Sequence, residues 1–296
     1  MAVGRCVVCG ADLVQTRPYA FKSAVFPAVY TDRMVYRCRD CGLQQCDHQR
    51  IDAVKLEEYY RSQYRSTAHI GQNELGAETP WFVARAKALA GLASAHQGDL
   101  SVRRVFEIGA GYGANLLAMK DVFPAAELLT DEIDASLSLP AGIGRGALSD
   151  GGYDVLILSH VLEHFIDPVS VLRRCCAALN RHGLLIIEVP NSPQVAIHRG
   201  GFDEPHVSFF SEDTLRQAVG QVEGLSLLQC YTCGPLLRQS LLTQARVLVR
   251  MGLEKMPFVL RWIRKLKHGI VPPPTAFDFT APQPGGVFLR AAYRKA

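Results

Sequence analysis

From about residue 102 onward, short apolar runs alternate with stretches of helical period. Val105-Phe-Glu-Ile108 reads as a strand, Ala114 to Val122 as a helix and Glu127 to Asp131 as a second strand. Tyr153 to Ser159 (YDVLILS) is apolar almost throughout, as a strand covered on both faces must be. Pro168 to Leu179 then reads as a helix, Leu184 to Val189 as a strand, Thr214 to Gln221 as a helix, and Leu225 to Cys230 and Val287 to Tyr293 as the last two strands. Such alternation predicts an α/β fold, a parallel sheet with helices on both faces. Upstream, an Ala-rich helix is expected from Trp81 to about Ala95, with Pro80 in its first turn. The stretch Glu57 to Ser66 predicts a linker helix with Tyr60 and Tyr64 on one face. Between the last two strands, Leu241, Val247, Met251, Phe258, Trp262 and Leu266 supply the apolar faces of one or two amphipathic helices, an insertion over 235–275.

The composition, 296 residues with 48% hydrophobic and 20% charged, is that of a globular protein with a sizeable core. It excludes disordered, collagen-like and disulfide-scaffold classes. The start, MAVGRCVVCG, lacks the pattern of a signal peptide, and no run approaches a membrane span. A cytoplasmic location with reduced thiols is therefore expected. The net charge of +4 is unevenly placed: residues 236–268 hold eight Lys and Arg against Glu254 alone. A binder of nucleic acid would be basic more uniformly. The segment instead predicts a helical cap, attraction to a phosphorylated, nucleotide-linked or lipid-linked small molecule, or peripheral contact with an anionic membrane surface.

Cysteine spacing divides the chain further. Cys6-Val-Val-Cys9-Gly10 and Cys38-Arg-Asp-Cys41-Gly42 are two CxxCG knuckles, and their four sulfurs suit tetrahedral, structural Zn2+ with no position left for substrate. Cys46 and His48 lie close behind as substitutes for one ligand, while Cys230 and Cys233 have no second pair and read as ordinary thiols. The expected division is a zinc ribbon over 1–50, a helical linker or lid over 51–98 and an α/β domain over 99–296.

Glu107-Ile-Gly109-Ala110-Gly111-Tyr112-Gly113 lies between a strand and a helix, where glycines let the backbone approach a ligand closely. Gly109, Gly111 and Ala114 also fit a dinucleotide site for a nicotinamide or flavin. Against that reading stand the third glycine and Glu107, whose carboxylate repels a pyrophosphate and suits a cationic amino-acid group.

With EIGAGYG as its glycine motif and YDVLILSHVLEHFIDP as its fourth-strand motif, the segment from Glu107 through Tyr293 resembles the class I S-adenosylmethionine (SAM) dependent methyltransferases. The resemblance implies a Rossmann-like sheet and a glycine loop under the amino acid and ribose of SAM. It also implies an acid at the end of the second strand for the ribose hydroxyls, here Glu132 with Asp131 as the fallback, and His160 beside the methionine end. This chain departs from the pattern in a shortened segment after the second strand and in Ala147 where an Asp often lies near the adenine.

Phe202-Asp-Glu204-Pro205-His206-Val-Ser-Phe209-Phe210-Ser211 resembles the acid-then-His loop of sugar C-methyltransferases, which also begin with paired CxxC knuckles and a tyrosine-rich linker. That resemblance implies His206 as general base, assisted by Glu204 and with Tyr64 as a further catalytic candidate. Pro205 between acid and His departs from it. Tyr60, Glu163, His164 and Asn191 are the expected substrate contacts, and Ser211 is expected to cap the next helix. The function expected is methyl transfer to a small anionic intermediate such as a nucleotide sugar. Alternatives are O- or N-methylation of another small molecule, or a zinc-ribbon interaction protein that binds SAM without chemistry.

Overall fold

The computed structural model describes residues 4–19, 26–64, 80–193, 205–236 and 279–296. In chain order the elements that matter here are β1 (Leu13–Pro18), α1 (Phe26–Val29), β2 (Met34–Cys38), β3 (Gln44–Cys46), α2 (Ala53–Glu58), α3 (Pro80–His96) and β4 (Arg104–Ile108). They continue as α4 (Ala114–Val122), β5 (Glu127–Thr130), β6 (Ile143–Arg145), β7 (Tyr153–Ser159), α5 (Pro168–Ala178) and β8 (Leu179–Pro190), then β9 (Ser208–Phe209), α6 (Glu212–Gly220), β10 (Leu225–Leu236) and β11 (Gly286–Lys295).

Seven strands form one sheet in the order β10-β11-β8-β7-β4-β5-β6. The run YDVLILS becomes β7 near its centre, buried from Tyr153 to Leu158. Alternate residues serve opposite faces: Phe106, Leu156 and Leu158 join one core, while Val105, Val155 and Ile157 join the other. The sheet is thus covered on both sides, as the apolar runs predict. It is Rossmann-like but mixed. Strands β4 to β8 pair in parallel, whereas β11 runs antiparallel to both β8 and β10. Strand order reverses between β4 and β7, and the carboxyl ends there form the crevice where open α/β sheets bind ligands.

The N-terminal lobe is built on the antiparallel β1-β2-β3 sheet, and its fourth strand is β9, from far down the chain. Gln45 and Gln44 pair with Ser208 and Phe209. Helix α2 continues into a π-helical turn over Tyr59–Gln63, which keeps Tyr60 and Tyr64 on one face with ring centroids 5.4 Å apart. Among the described residues no helix is long and apolar enough to cross a membrane. The expected insertion over 235–275 falls almost wholly outside the described residues, as does Glu204.

Candidate active site

The glycine loop leaves β4 and enters α4 with Gly109, Gly111 and Gly113 all in the left-handed region, at φ of 63°, 58° and 77°. Their roles differ. A Cβ on Gly113 would lie 2.6 Å from Ile143 Cδ1, so this glycine serves the packing of β6, whereas Gly111 faces an open cavity of about 360 Å³. The loop is held from the end of β5 and the two residues after it by three acceptors in succession. Asp131 Oδ1 accepts from the Gly109 N–H at 3.2 Å, Thr130 Oγ1 from Ala110 at 3.3 Å and Glu132 Oε2 from Gly111 at 2.7 Å. Glu132 lines the cavity, and Asp131 lies exposed beside the loop.

Glu107 forms the floor. It is buried, its Oε1 accepts from Asn115 Nδ2 at 2.7 Å, and its Oε2 has no hydrogen-bond partner. Burial, aided by the charges of Glu132 and Glu188 and opposed by the Asn115 amide, pushes its carboxyl up to about 8. A buried carboxyl oxygen without a partner is unusual, since buried polar atoms are nearly always hydrogen-bonded.

The facing wall comes from the turn after β7 and from the tyrosine helix. His160 and His164 line the cavity together with Tyr60 and Tyr64. His160 takes a positive φ of 55°, held by its N–H to the Glu188 carbonyl at 2.8 Å. Tyr60 Oη lies 2.8 Å from His164 Nδ1 and donates to the Pro205 carbonyl at 3.2 Å. Burial holds the Tyr60 phenol far above its ordinary range and the His164 imidazole below its own. Behind this wall Glu163 is buried with both oxygens lacking a hydrogen bond, and imidazoles surround it: His160 Nδ1 at 3.5 Å, His164 Nε2 and His206 Nε2 at 3.9 Å. Burial disfavours its charge, but the imidazoles, His164 foremost, outweigh this and hold the carboxyl at about 2.

The structure therefore brings Glu107, Gly109, Ala110, Gly111, Glu132, His160, His164, Tyr60 and Tyr64 to one cavity. Gly113, Asp131, Glu163, His206 and Asn191 are not among its lining residues. Asn191 gives its side-chain N–H to the Gly286 carbonyl at 2.8 Å, within the strand edge. Sequence reading missed Phe82, Arg85 and Asn115, which also line the cavity. Asn115 is the second residue of the helix that the glycine loop opens, a position the motif could have flagged. Phe82 and Arg85 belong to α3, whose composition gives no such signal.

In the N-terminal lobe the sulfurs of Cys6, Cys9, Cys38 and Cys41 lie within 4.8 Å of one another, with Cys6 and Cys41 at 3.5 Å and Cys9 and Cys38 at 3.3 Å. Gly10 and Gly42 turn left-handed after each knuckle, at φ of 74° and 78°. Backbone N–H groups of Val8 and Cys41 point at the Cys6 and Cys38 sulfurs. Cys46 and His48 are elsewhere: Cys46 is fully buried in a neighbouring core, and His48 bonds the Ile166 and Val207 carbonyls.

The family model described as a methyltransferase domain matches residues 83–229. No curated protein matches the chain. Among solved structures, the plantazolicin methyltransferase BpumL in complex with SAH is similar at 15% identity and a TM-score of 0.48, over 81% of this chain and 93% of that one. The mitomycin 7-O-methyltransferase MmcR is similar at 14% identity and a TM-score of 0.47, over 81% of this chain and 60% of that one.

Proposed function

Starting from a SAM-dependent methyltransferase with a Rossmann-like class I sheet, we propose that the acceptor is a small anionic biosynthetic intermediate such as a nucleotide sugar. SAM, when bound, supplies a methyl group on a sulfonium. Methyl transfer is an in-line displacement, so the chain's part is to hold both partners, exclude water and take a proton from the acceptor. Glu107 suits the α-ammonium of SAM, the loop from Gly109 to Gly111 leaves room for its backbone, and Glu132, rather than the fallback Asp131, suits the ribose hydroxyls. His160 stands at the methionine end. The acceptor end is walled by Tyr60, Tyr64 and His164, and His206, its ring centroid 4.9 Å from that of His164, is the proton acceptor from behind that wall.

The observation that carries this reading is the buried Glu163 carboxylate, set among three imidazoles behind the wall that Tyr60, Tyr64 and His164 form. Protons gained by His206 are stabilised by that charge, which is what a base must have in a buried place. Glu163 is the described acid nearest the role expected of Glu204. The basic run over 236–268 supports an acceptor bearing phosphate. We also assign one structural Zn2+ to Cys6, Cys9, Cys38 and Cys41, because their four sulfurs converge within 4.8 Å of one another and four thiolates are a closed, tetrahedral zinc donor set.

The test is methyl transfer itself. Incubation with SAM and a panel of nucleotide sugars, followed by mass spectrometry, should find one acceptor that gains a methylene's mass. His206→Ala should then lower turnover about 100- to 10,000-fold with SAM affinity nearly constant. A variant with a lower melting temperature and unchanged turnover would make His206 structural and remove the base from this scheme.

A further inference from the structure

Resting on the assignment of the cavity to SAM, we propose that Arg85 is the recognition group for the α-carboxylate, so that the donor's amino-acid end is held as a zwitterion between Arg85 and Glu107.

Arg85 projects from α3 into the wall of the same cavity that Glu107 floors. Its guanidinium carbon lies 4.5 Å from the centroid of the Phe288 ring, which fixes the plane of the group. One nitrogen, Nη2, bonds Glu188 Oε1, while its Nε is buried without a hydrogen-bond partner. Glu188 does not neutralise it fully. The other oxygen of Glu188 receives Arg290 Nε at 2.5 Å, and both residues are almost wholly buried. Arg290 Nη1 and Nη2 donate to the carbonyls of Phe279 at 2.6 Å and Arg85 at 3.3 Å. Two guanidiniums thus share one carboxylate, and His160 Nε2, 3.4 Å from Glu188 Oε1, adds no negative charge.

A surplus cation in a low-dielectric wall calls for an anion. Glu188, held ionised against its burial by Arg290 and Arg85, acts as a positioning residue that sets the fork. Across the cavity the complementary fault exists: Glu107 Oε2, equally buried, lacks a donor. A ligand with a carboxylate and an ammonium on one carbon repairs both, and an arginine fork is the geometry that takes a carboxylate best.

The test uses the full chain without acceptor, titrated calorimetrically with SAM and with decarboxylated SAM, which keeps the sulfonium, adenosine and amine. Wild type should bind the decarboxylated ligand about 10- to 100-fold more weakly, the range expected for hydrogen bonds to a charged group. Arg85→Gln should weaken SAM by a similar factor and leave decarboxylated SAM nearly unchanged, so that the preference disappears. Arg85→Lys should restore part of it. Equal affinity of wild type for the two ligands overturns the proposal without recourse to any variant, as does a preference that survives in Arg85→Gln with a near-wild-type melting temperature. Binding of neither ligand to wild type would be a different failure, that of the SAM assignment, and the clamp would fall with it.

Discussion

One carboxyl on the cavity floor makes ligand binding a proton equilibrium. The Glu107 carboxyl ordinarily titrates near 4.5, and burial raises it to about 8, so at neutral pH the empty site holds a proton there. For the ligand-free fold the sign is unfavourable to charge. Between pH 4.5 and 8 the folded chain binds more protons at this group than the unfolded chain, and its contribution to stability falls as pH rises. For SAM the sign is opposite, because the α-ammonium pairs with the ionised form. Affinity should climb with pH by up to about tenfold per unit until near pH 8, then decline as the ligand's own amine, at about 7.7 to 8.0, loses its proton. Glu107→Gln should abolish the rising limb. Calorimetry from pH 6 to 9 measures this, and a level profile for wild type would remove Glu107 from the ammonium site. The position of Glu107 was readable because a motif surrounds it. Arg85 was not, since a single arginine in an Ala-rich helix looks the same whether it points to water or into a cavity; only the shared Glu188, brought from β8 by the sheet, separates the cases.

The glycine loop shows how much one element can hide within a repeated letter. Gly111 lies on the cavity wall and Gly113 against Ile143 and Pro140, although the two are alike in sequence and both take a positive φ. Gly111→Val should therefore abolish SAM binding by filling ligand space. Gly113→Ala should first lower stability, by about 1–3 kcal/mol for the strained backbone, with the crowding of Ile143 added. Urea denaturation and calorimetry on both variants separate the effects. Equal losses of binding and equal stabilities would show that the loop works as one ligand-facing surface. Elements with a strong period were legible: the helix Ala114–Val122 and the strand Tyr153–Ser159 have the bounds expected of them. Strand β6 was not, because Ile-Gly-Arg is too short to show a period, and β8 and β10 run past their expected ends through residues whose pairing, not polarity, makes them strands. Ser211 does cap α6, accepting from the Thr214 N–H.

At the scale of the whole molecule, the N-terminal lobe and the base of the proposed reaction belong to one structure. Residues 205–208 are gripped by groups from the first 60 residues: Tyr19 Oη donates to the His206 carbonyl at 2.6 Å, and the Cys46 N–H to the Val207 carbonyl at 2.9 Å. His48 Nε2 lies 3.2 Å from the same Val207 carbonyl, and β9 completes the lobe's sheet. Val207 and Phe209 share a core with Tyr19, Phe26 and Tyr30. No pattern in the sequence announces this, since the strand is two residues long and its partner lies some 160 positions away. The grip gives the assigned zinc a consequence beyond local folding. Metal loss should loosen β2 and β3, release β9 and let His206 wander, whereas the glycine loop and Glu132 rest on β4 and β5 at the other side of the cavity. Chelation, or Cys38→Ser with Cys41→Ser, should then cut turnover by the factor His206→Ala does, about 100- to 10,000-fold, while calorimetric SAM affinity changes little. Zinc returned to the chelated protein should restore the rate. Full turnover by protein shown metal-free by elemental analysis would separate the lobe from the chemistry, and a parallel fall in SAM affinity would mean that the lobe supports the sheet as a whole rather than the position of one imidazole.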